Sequence, residues 1–564
     1  MSSPLFSSRR DVLRGLGLAA CGAGVSLAAP GEAFSQTASS FIRILRQPDL
    51  VTAISETEER LRMERAGAAW RSGDVTVTCD ESAKDLTVSV SAAASALRHV
   101  HLRWKAALRH DLRVLGDAWE RSYGELGWRE MVPERPMPWY FLSFDGRSTH
   151  GYGVKTGGGA LAFWQCDGEG ISLWLDVRNG GSGVALNGRT VQAASVVTRE
   201  GHAEESSFEA ARAFCRVMSP EPRRMAQAVY GSNDWYYAYG NSSAEDILRS
   251  ARLMAELAPA SGPRPFAIAD DGWQNHERFP DMAALASSIR SAGARAGLWV
   301  RPLRAVGEAN ANLLLPAARF GRENNPATAA PAYDPTIAEA REKALDAVRE
   351  AVRWKYELVK HDFTTWELLG QWGNEMGASP TLPGWSFHDR TQTNAEIIRG
   401  LYRAIREAAG EETILTGCNV VGHLSAGLFE MQRTGDDVSG KLWERTRRMG
   451  VNTLAFRLPQ HGSFFMLDAD CVPITGAIPW TLTRQWLEAV AASGTALLVS
   501  AAADATGAEQ KQAIRDAFRL AAENANATPQ DWLLTHTPET WAEGTGRKRQ
   551  YAWLEDGGAD PFRV

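Results

Sequence analysis

The chain has 564 residues, 44% of them hydrophobic, so it is long enough to form more than one hydrophobic core. Its 61 basic residues are outnumbered by 67 acidic ones, and the net charge is -6. This balance argues against a nucleic-acid partner or an anionic membrane surface, both of which attract strongly basic chains. The 20 tryptophans offer flat apolar faces that suit sugar rings, although core packing is the ordinary role of any one of them.

Residues 1–36 are predicted to be an export signal. Arg9 and Arg10 precede a weakly apolar Gly/Ala/Leu stretch that ends in small residues, which is the pattern of a twin-arginine signal. We expect cleavage after Ala33 and a periplasmic or secreted protein, while a lipoprotein-type box ending at Cys21 leaves a lipid-anchored form open. No later stretch offers about 18 uninterrupted apolar residues, so no integral membrane span is expected.

The cysteines beyond this signal show no CxxC pair and no zinc-like spacing. We expect buried thiols, with one disulfide left open, because a precursor that folds before twin-arginine export meets a reducing cytosol. These cysteines are Cys79, Cys166, Cys215, Cys418 and Cys471.

Three regions follow the signal in chain order. Residues 40–222 alternate polar and apolar positions, as in "DVTVTCD" and "DLTVSVS", which predicts an N-terminal β-sandwich. Residues 223–505 alternate short apolar runs with helical stretches, and eight such units fit a (β/α)8 barrel better than a doubly wound sheet. "VNTLAF" takes the seventh place among the expected barrel strands. Residues 506–564 are expected to form a short C-terminal helix and a β tail.

Charged residues stand at the ends of three even-numbered strands of this barrel. The carboxyl ends of barrel strands meet at one mouth, where catalytic residues of such barrels lie. We therefore expect these groups to face one another, with the cations holding some of the carboxylates ionised. They are Asp270 and Asp271 after the second strand, Lys360 and Asp362 after the fourth, and Arg433 and Asp437 after the sixth.

Four motifs in register, "DDGW", "KHDF", "RTGDDV" and "LDADCV", resemble the α-galactosidase (melibiase) superfamily, glycoside hydrolase clan D. The resemblance covers the barrel from about Val229 to Ala501 and extends into the preceding β-sandwich. It implies a retaining α-glycosidase, most simply an α-galactosidase, that acts on oligosaccharide or polysaccharide ends without a cofactor or a metal. The oligomeric state does not follow from it.

The resemblance also implies roles for single residues. Asp362 corresponds to the nucleophile, and Asp437 to the acid/base, with Asp436 as the neighbouring alternative. Lys360 corresponds to a residue that hydrogen-bonds the sugar hydroxyls, and Arg433 to one that contacts the 2-hydroxyl region. Further substrate-binding positions implied by the family are Asp270 and Asp271 for the 4- and 6-hydroxyls, Trp235 as an aromatic platform, Trp273 and Trp299 in the pocket wall, and Asp470, with Asp468, in a pocket-shaping role.

The chemistry of retention supports this allocation independently. It requires two carboxyls about 5 to 5.5 Å apart, one to attack the anomeric carbon and one to protonate the leaving oxygen. We expect Asp362 to stay ionised beside Lys360. We expect Asp437 to titrate higher than usual, so that it can donate a proton and then recover it.

Several alternatives remain open at this stage. The glycone could be N-acetylgalactosamine or L-arabinopyranose, and a glycan-binding homologue without turnover would have no use for the acid/base. A metal-dependent hydrolase would need His276 or His461 near the aspartates. His361 should point away from the mouth into packing, and His461 is expected on the surface. Arg301 could reach the mouth or pair with an acidic neighbour.

Overall fold

The computed structural model describes residues 41–42, 44–321, 331–523 and 525–563. The predicted export signal, including Cys21, lies outside the described residues. No helix within the described ranges is both long and apolar enough to cross a bilayer.

Two antiparallel sheets make up the N-terminal region. The alternation seen in the sequence places every second side chain in the core, as in the strand Leu86–Ala92, where Leu86, Val88, Val90 and Ala92 are buried. The strands are β1 (Leu50–Ser55), β2 (Arg60–Arg62), β3 (Glu64–Ala66), β4 (Ala69–Ser72), β5 (Val75–Glu81), β6 (Leu86–Ala92), β7 (Leu97–Lys105), β8 (Arg113–Gly116), β9 (Arg129–Glu130), β10 (Met137–Pro138), β11 (Tyr140–Phe144), β12 (Thr149–Val154), β13 (Leu161–Asp167), β14 (Gly170–Asp176) and β15 (Thr190–Arg199). One sheet has six strands in the order β10-β13-β14-β7-β1-β2, and the other has nine in the order β3-β4-β5-β6-β15-β12-β11-β8-β9.

A closed barrel of eight parallel strands follows. Its strands are β16 (Tyr230–Asn233), β17 (Phe266–Ala269), β18 (Arg295–Val300), β19 (Leu358–His361), β20 (Ile414–Gly417), β21 (Met431–Arg433), β22 (Met466–Ile474) and β23 (Ala496–Ala501). Apolar side chains from several strands, among them Phe266, Ile268, Leu358, Met431 and Leu498, form one buried cluster. The predicted combination of a β-sandwich with a (β/α)8 barrel is therefore confirmed.

Helices connect and surround the strands. Two of the longer ones begin with capping boxes, in which Ser243 pairs with Asp246 and Thr393 with Glu396. The helices are α1 (Ser207–Met218), α2 (Trp235–Ala238), α3 (Ala244–Leu257), α4 (Met282–Ser291), α5 (Ala338–Arg353), α6 (Thr364–Leu369), α7 (Asn394–Ala409), α8 (Gly422–Ser425), α9 (Trp443–Thr446), α10 (Thr453–Arg457), α11 (Trp480–Ser493) and α12 (Ala508–Ala522).

The expected seventh strand is wrong. "VNTLAF" lies in a helical segment, where a π-helical turn, Arg447–Asn452, continues directly into α10. Val451, Leu454, Ala455 and Leu458 are all buried, and their spacing of three, four and seven residues is that of one helix face. The seventh strand is instead β22, which contains the "LDADCV" motif.

After α12 the chain ends in a small antiparallel sheet of three strands. These are β24 (Thr528–Pro529), β25 (Thr540–Ala542) and β26 (Lys548–Gln550). Trp541 and Trp553 from this region are buried, and the indole of Trp443 donates a hydrogen bond to the carbonyl of Trp553 at 2.6 Å. The C-terminal tail therefore packs against the barrel.

Candidate active site

A cavity of about 570 Å³ lies at the carboxyl ends of the barrel strands. Seven of the ten site residues expected from the sequence line it: Trp235, Asp270, Asp271, Trp299, Lys360, Asp362 and Asp437. Asp436 lines it as well, so five carboxylates share one space. A cavity of this size holds a ligand of a few sugar-sized groups rather than a single small ion.

The two-residue period of β19 explains why Lys360 and Asp362 reach this cavity. Leu358 belongs to the buried cluster inside the barrel, and residues two and four positions later point the same way. The intervening His361 points outward, where it is fully buried and packs against Tyr402 and Phe429. Burial lowers the pKa of His361 to about 4, so its imidazole is neutral and acts in packing, as expected.

Three N–H groups hold the carboxylate of Asp362. The backbone N–H of Phe363 donates to Oδ1 at 2.7 Å, that of Asn419 to the same oxygen at 3.1 Å, and the indole of Trp299 to Oδ2 at 3.2 Å. Phe363 adopts a left-handed backbone with φ 64, which is strained for a non-glycine residue. The surrounding contacts, including the hydrogen bond from its N–H to Asp362, must hold it in this conformation. Together these three hydrogen bonds fix the direction of the carboxylate.

Lys360 forms a buried ion pair with Asp270. Its Nζ lies 2.8 Å from Oδ2 of Asp270, which also accepts a hydrogen bond from the Asn233 amide at 2.5 Å. Although burial opposes the ammonium charge, the Asp270 carboxylate raises the pKa of Lys360 well above its ordinary value. The pKa of the adjacent Asp271 is raised by burial and by the charge of Asp270. The deepest part of the cavity thus contains one ammonium group, that of Lys360, and two carboxyl groups, those of Asp270 and Asp271.

Cations surround Asp437. Its Oδ1 lies 3.2 Å from Nη2 of Arg433 and 3.8 Å from Nη1 of Arg121. Burial alone would raise the pKa of Asp437, but these guanidinium groups outweigh it and lower the pKa below its ordinary value. The prediction that Asp437 titrates higher than usual is therefore wrong for the ligand-free protein. The neighbouring Asp436 is bridged by Arg121 and Arg445, each at 2.7 Å.

Three of the expected residues lie behind the cavity wall. Arg433 is 1% exposed and joins Asp437 to Asp470, whose Oδ2 is 2.7 Å from its Nη2. Trp273 packs edge-on against Trp354 and donates its indole N–H to the carbonyl of Trp299 at 2.8 Å. Arg433 and Asp470 therefore position other groups, and Trp273 supports the wall rather than facing the cavity.

The contacts of three further residues decide what the sequence left open about them. Asp468 is buried and accepts the backbone N–H of Asp470 at 2.9 Å, in keeping with a shaping role. Arg301 pairs with Glu367 at 2.6 Å. His461 precedes the seventh strand and lines a separate cavity with residues from the amino ends of the strands, such as Met466.

No group of three or more His, Cys, Asp or Glu side chains is arranged to hold a metal ion in the described parts of the chain. The aspartates of the metal hypothesis have cationic partners instead, Lys360 for Asp270 and Arg433 for Asp470. All five cysteines expected to be buried thiols are buried and unbridged.

The sandwich region contributes residues that the sequence reasoning missed. The segment between β8 and β9 enters the mouth of the barrel, where Ser122 pairs with Gly435 in a short parallel bridge. Arg121 and Tyr123 from this segment line the cavity, and the Arg121 guanidinium stacks 5.3 Å from the Trp372 ring. A side chain at Gly435 would collide with the backbone carbonyl of Met449. No local motif marks Arg121, because its position depends on contacts between distant segments.

A buried carboxyl, Glu120, connects this segment to Asn419, which contacts Asp362. Glu120 accepts hydrogen bonds from the Tyr123 hydroxyl, the Asn419 amide and the backbone N–H of Gly373. Burial raises the pKa of Glu120 to about 7. The backbone N–H of Asn419 donates to Asp362, so Glu120 holds one of the groups that orient this carboxylate.

Two further segments complete the wall. Trp372 and Asn374 come from the long loop after β19, and Arg445 and Arg448 come from the segment after β21. The length of the loop after β19 was a signal that it shapes the pocket, but it did not identify the residues. The arginines gave no signal, because in sequence they resemble those of any exposed helix.

Similar folds are found among solved structures. An alpha-galactosidase from Thermus thermophilus, in complex with p-nitrophenyl alpha-D-galactopyranoside, matches with a TM-score of 0.58 and 19% identity over 89% of this chain and 99% of that one. The GH36 alpha-galactosidase AgaA from Geobacillus stearothermophilus matches with a TM-score of 0.55 and 14% identity over 85% of this chain and 76% of that one. No family model and no curated protein matches the chain. The sandwich and barrel together have the fold of the GH36 alpha-galactosidases.

Proposed function

We propose that the protein is an exported retaining α-glycosidase, most simply an α-galactosidase that hydrolyses terminal α-linked galactose. The observation that carries this proposal is that Asp362 and Asp437 line one cavity at the mouth of the barrel. The first is oriented by N–H donors and the second is surrounded by guanidinium groups. Such a pair supplies the two carboxyls that double displacement requires.

In the first step Asp362 attacks the anomeric carbon. The bond from this carbon to the leaving oxygen breaks, a glycosyl ester forms on Asp362, and Asp437 gives its proton to the leaving oxygen. In the second step a water molecule attacks the same carbon and loses a proton to Asp437. The ester bond breaks, the sugar departs, and Asp362 regains its negative charge.

The lowered pKa of Asp437 limits when the first step can occur. Only the protonated carboxyl can act as the acid, and the neighbouring guanidiniums favour the ionised form. The free enzyme should therefore work best at acidic pH, where a larger fraction of Asp437 carries the proton. The ionised form that these cations favour is the one that activates water in the second step.

Galactose is the glycone that the surroundings support best. Asp270, Asp271 and Lys360 offer charged hydrogen-bonding groups at the floor of the cavity, and Trp235 offers an aromatic face for the sugar ring. The related Thermus structure contains p-nitrophenyl alpha-D-galactopyranoside, and another structure of that protein contains stachyose. N-acetylgalactosamine and L-arabinopyranose share the axial 4-hydroxyl that we assign to Asp270 and Asp271, so these two sugars are the alternative glycones.

Export is proposed from the sequence alone. The paired Arg9 and Arg10 and the apolar stretch after them support a twin-arginine signal and a periplasmic or secreted location. Buried, unbridged cysteines suit a chain that folds in a reducing compartment before transport. Mass spectrometry of the mature N-terminus tests this proposal, since it separates cleavage near Ala33 from lipidation at Cys21.

The activity is tested with 4-nitrophenyl glycosides of α-galactose, α-N-acetylgalactosamine, β-L-arabinopyranose and α-glucose. The wild type should hydrolyse the α-galactoside with retention, as followed by NMR, and EDTA should not change the rate. Asp362→Ala should remove turnover while the protein stays folded. Binding of galactose without turnover of any glycoside would favour a non-catalytic homologue instead.

A further inference from the structure

Arg448 is a charged group of the cavity that the proposed reaction does not use. It lines the cavity and is half-buried. Lys360, Arg121 and Arg445, which line the same space, each pair with a carboxylate of the protein. Across the described ranges, no ion pair or side-chain hydrogen bond joins Arg448 to another residue. A guanidinium in a partly desolvated site without a counter-charge is suited to an anion supplied by the ligand.

The backbone at Arg448 packs tightly against a segment of the sandwich region. The residue lies in the π-helical turn Arg447–Asn452, a rare geometry that is frequent at functional sites. Gly124 of the sandwich segment packs against it with φ 76, and a Cβ at Gly124 would lie 2.8 Å from the Cβ of Arg448. The next residue, Met449, also lines the cavity. Packing from two domains therefore fixes the point from which the Arg448 side chain extends.

The depth of the cavity indicates which part of a substrate Arg448 would meet. Asp270 and Lys360, which we assign to the terminal sugar, are 4% and 7% exposed and form the floor. Arg448 is more exposed and lies on the same segment after β21 as Asp437, the group that we assign to the leaving oxygen. We therefore expect the leaving group, rather than the terminal sugar, to lie nearest to Arg448.

We propose that Arg448 binds an anionic group on the leaving-group side of the glycoside. The preferred substrates are then α-galactosides whose second sugar carries a carboxylate or a sulfate ester, as in acidic polysaccharides or their fragments. The planar fork of a guanidinium matches both groups with two parallel hydrogen bonds. This inference rests on the proposed α-galactosidase activity and adds the substrate class.

The test compares three disaccharides: α-galactosyl-galactose, and the same disaccharide with either a carboxylate or a sulfate ester on the second sugar. Released galactose gives kcat/KM for the wild type, Arg448→Lys and Arg448→Gln. We expect the wild type to prefer at least one anionic disaccharide by about tenfold, as one charge-assisted contact allows. The preference should fall with added salt, because screening weakens the attraction. The better of the two anionic disaccharides identifies the source of the charge.

The variants separate a specific contact from a general effect. Arg448→Gln should reduce the anionic-to-neutral ratio of kcat/KM to near one, and Arg448→Lys should retain part of it because the charge remains. Arg353→Gln, on an exposed face of α5 where Arg353 pairs with Glu350, serves as a control and should leave the ratio unchanged.

Two results would overturn the inference. One is a wild type that hydrolyses the neutral and anionic disaccharides equally well. The other is a preference that survives intact in Arg448→Gln. Should Arg448→Gln fail to fold, the inference is still tested by the anionic-to-neutral ratio of kcat/KM in the wild type, by the salt dependence of that ratio, and by the ratio in Arg448→Lys. Turnover of 4-nitrophenyl α-galactoside by the wild type reports the proposed function independently, so a failure of that function is recognised separately.

Discussion

Replacing Arg121 tests the electrostatic control of Asp437 directly. Arg121 is 5% exposed, its Nη1 lies 3.8 Å from Oδ1 of Asp437, and we expect Arg121→Gln to raise the pKa of this carboxyl. Because the acid must be protonated, the decline of kcat/KM on the alkaline side should then move to higher pH. Arg121→Lys keeps the positive charge and should leave the decline near its original place.

The distance gives the size of the shift. Two unit charges about 4 Å apart interact with about 1 kcal/mol in water and about 4 kcal/mol at the surface of a protein. The side chain of Asp437 is 41% exposed, so solvent screening brings the interaction toward the lower value. Since one pKa unit corresponds to about 1.4 kcal/mol, the expected shift is about one pH unit.

The assay must depend on the acid. We propose to measure kcat/KM for raffinose from about pH 3 to pH 8, because its leaving group requires a proton whereas 4-nitrophenolate leaves without one. Thermal unfolding of each variant checks that the fold is intact, since Arg121 also bridges Asp436. An alkaline limb that stays in place in a folded Arg121→Gln variant would show that Asp437 is not the acid, or that this cation does not control it.

Further measurements address other parts of the chain. Asp362→Ala should reduce kcat by at least roughly 10⁴-fold, because the variant lacks the carboxylate that we propose forms the glycosyl ester, and a smaller loss would argue against its role as nucleophile. Glu367 is fully buried, and burial raises its pKa from 4.5 to about 7, so the folded state should lose stability as pH rises from 4.5 to 7. In Glu367→Gln, where Arg301 keeps an oxygen acceptor, the melting temperature should fall less over that range; an equal fall would contradict this assignment. The buried cysteines should react with a thiol reagent only after denaturation, and dithiothreitol should not change the melting temperature.

Residues that follow strands closely in sequence could be predicted well. Lys360 and Asp362 reach the cavity because the two-residue period of β19 continues from Leu358, and this period is visible in the sequence. The same argument places Asp270 at the end of β17. Local pattern and barrel geometry together were sufficient for these residues.

The errors have other causes. "VNTLAF" is a short apolar run in which a strand and a buried helix cannot be told apart by pattern alone. Trp273 follows the aspartate pair in sequence, yet its ring packs on Trp354, a contact that depends on tertiary structure. The pKa of Asp437 was predicted in the wrong direction: Arg433, four residues earlier, lowers it most, and Arg121 from the sandwich region adds to that effect. Contacts between distant segments decided the place of Trp273 and contributed to the pKa of Asp437.

The insertion of the sandwich segment into the barrel mouth also constrains the order of events as the chain folds. Glu120 and Asn419 are 299 residues apart in sequence, and closing so long a loop is slow and costs entropy before the contact is formed. Arg121 can reach the cavity only when the sandwich and barrel regions have docked, because it lies in the segment between β8 and β9. Glycosidase activity should therefore appear after the formation of secondary structure during refolding, and a barrel expressed without the sandwich region would contain Asp362 but lack the cavity wall that Arg121 and Tyr123 supply.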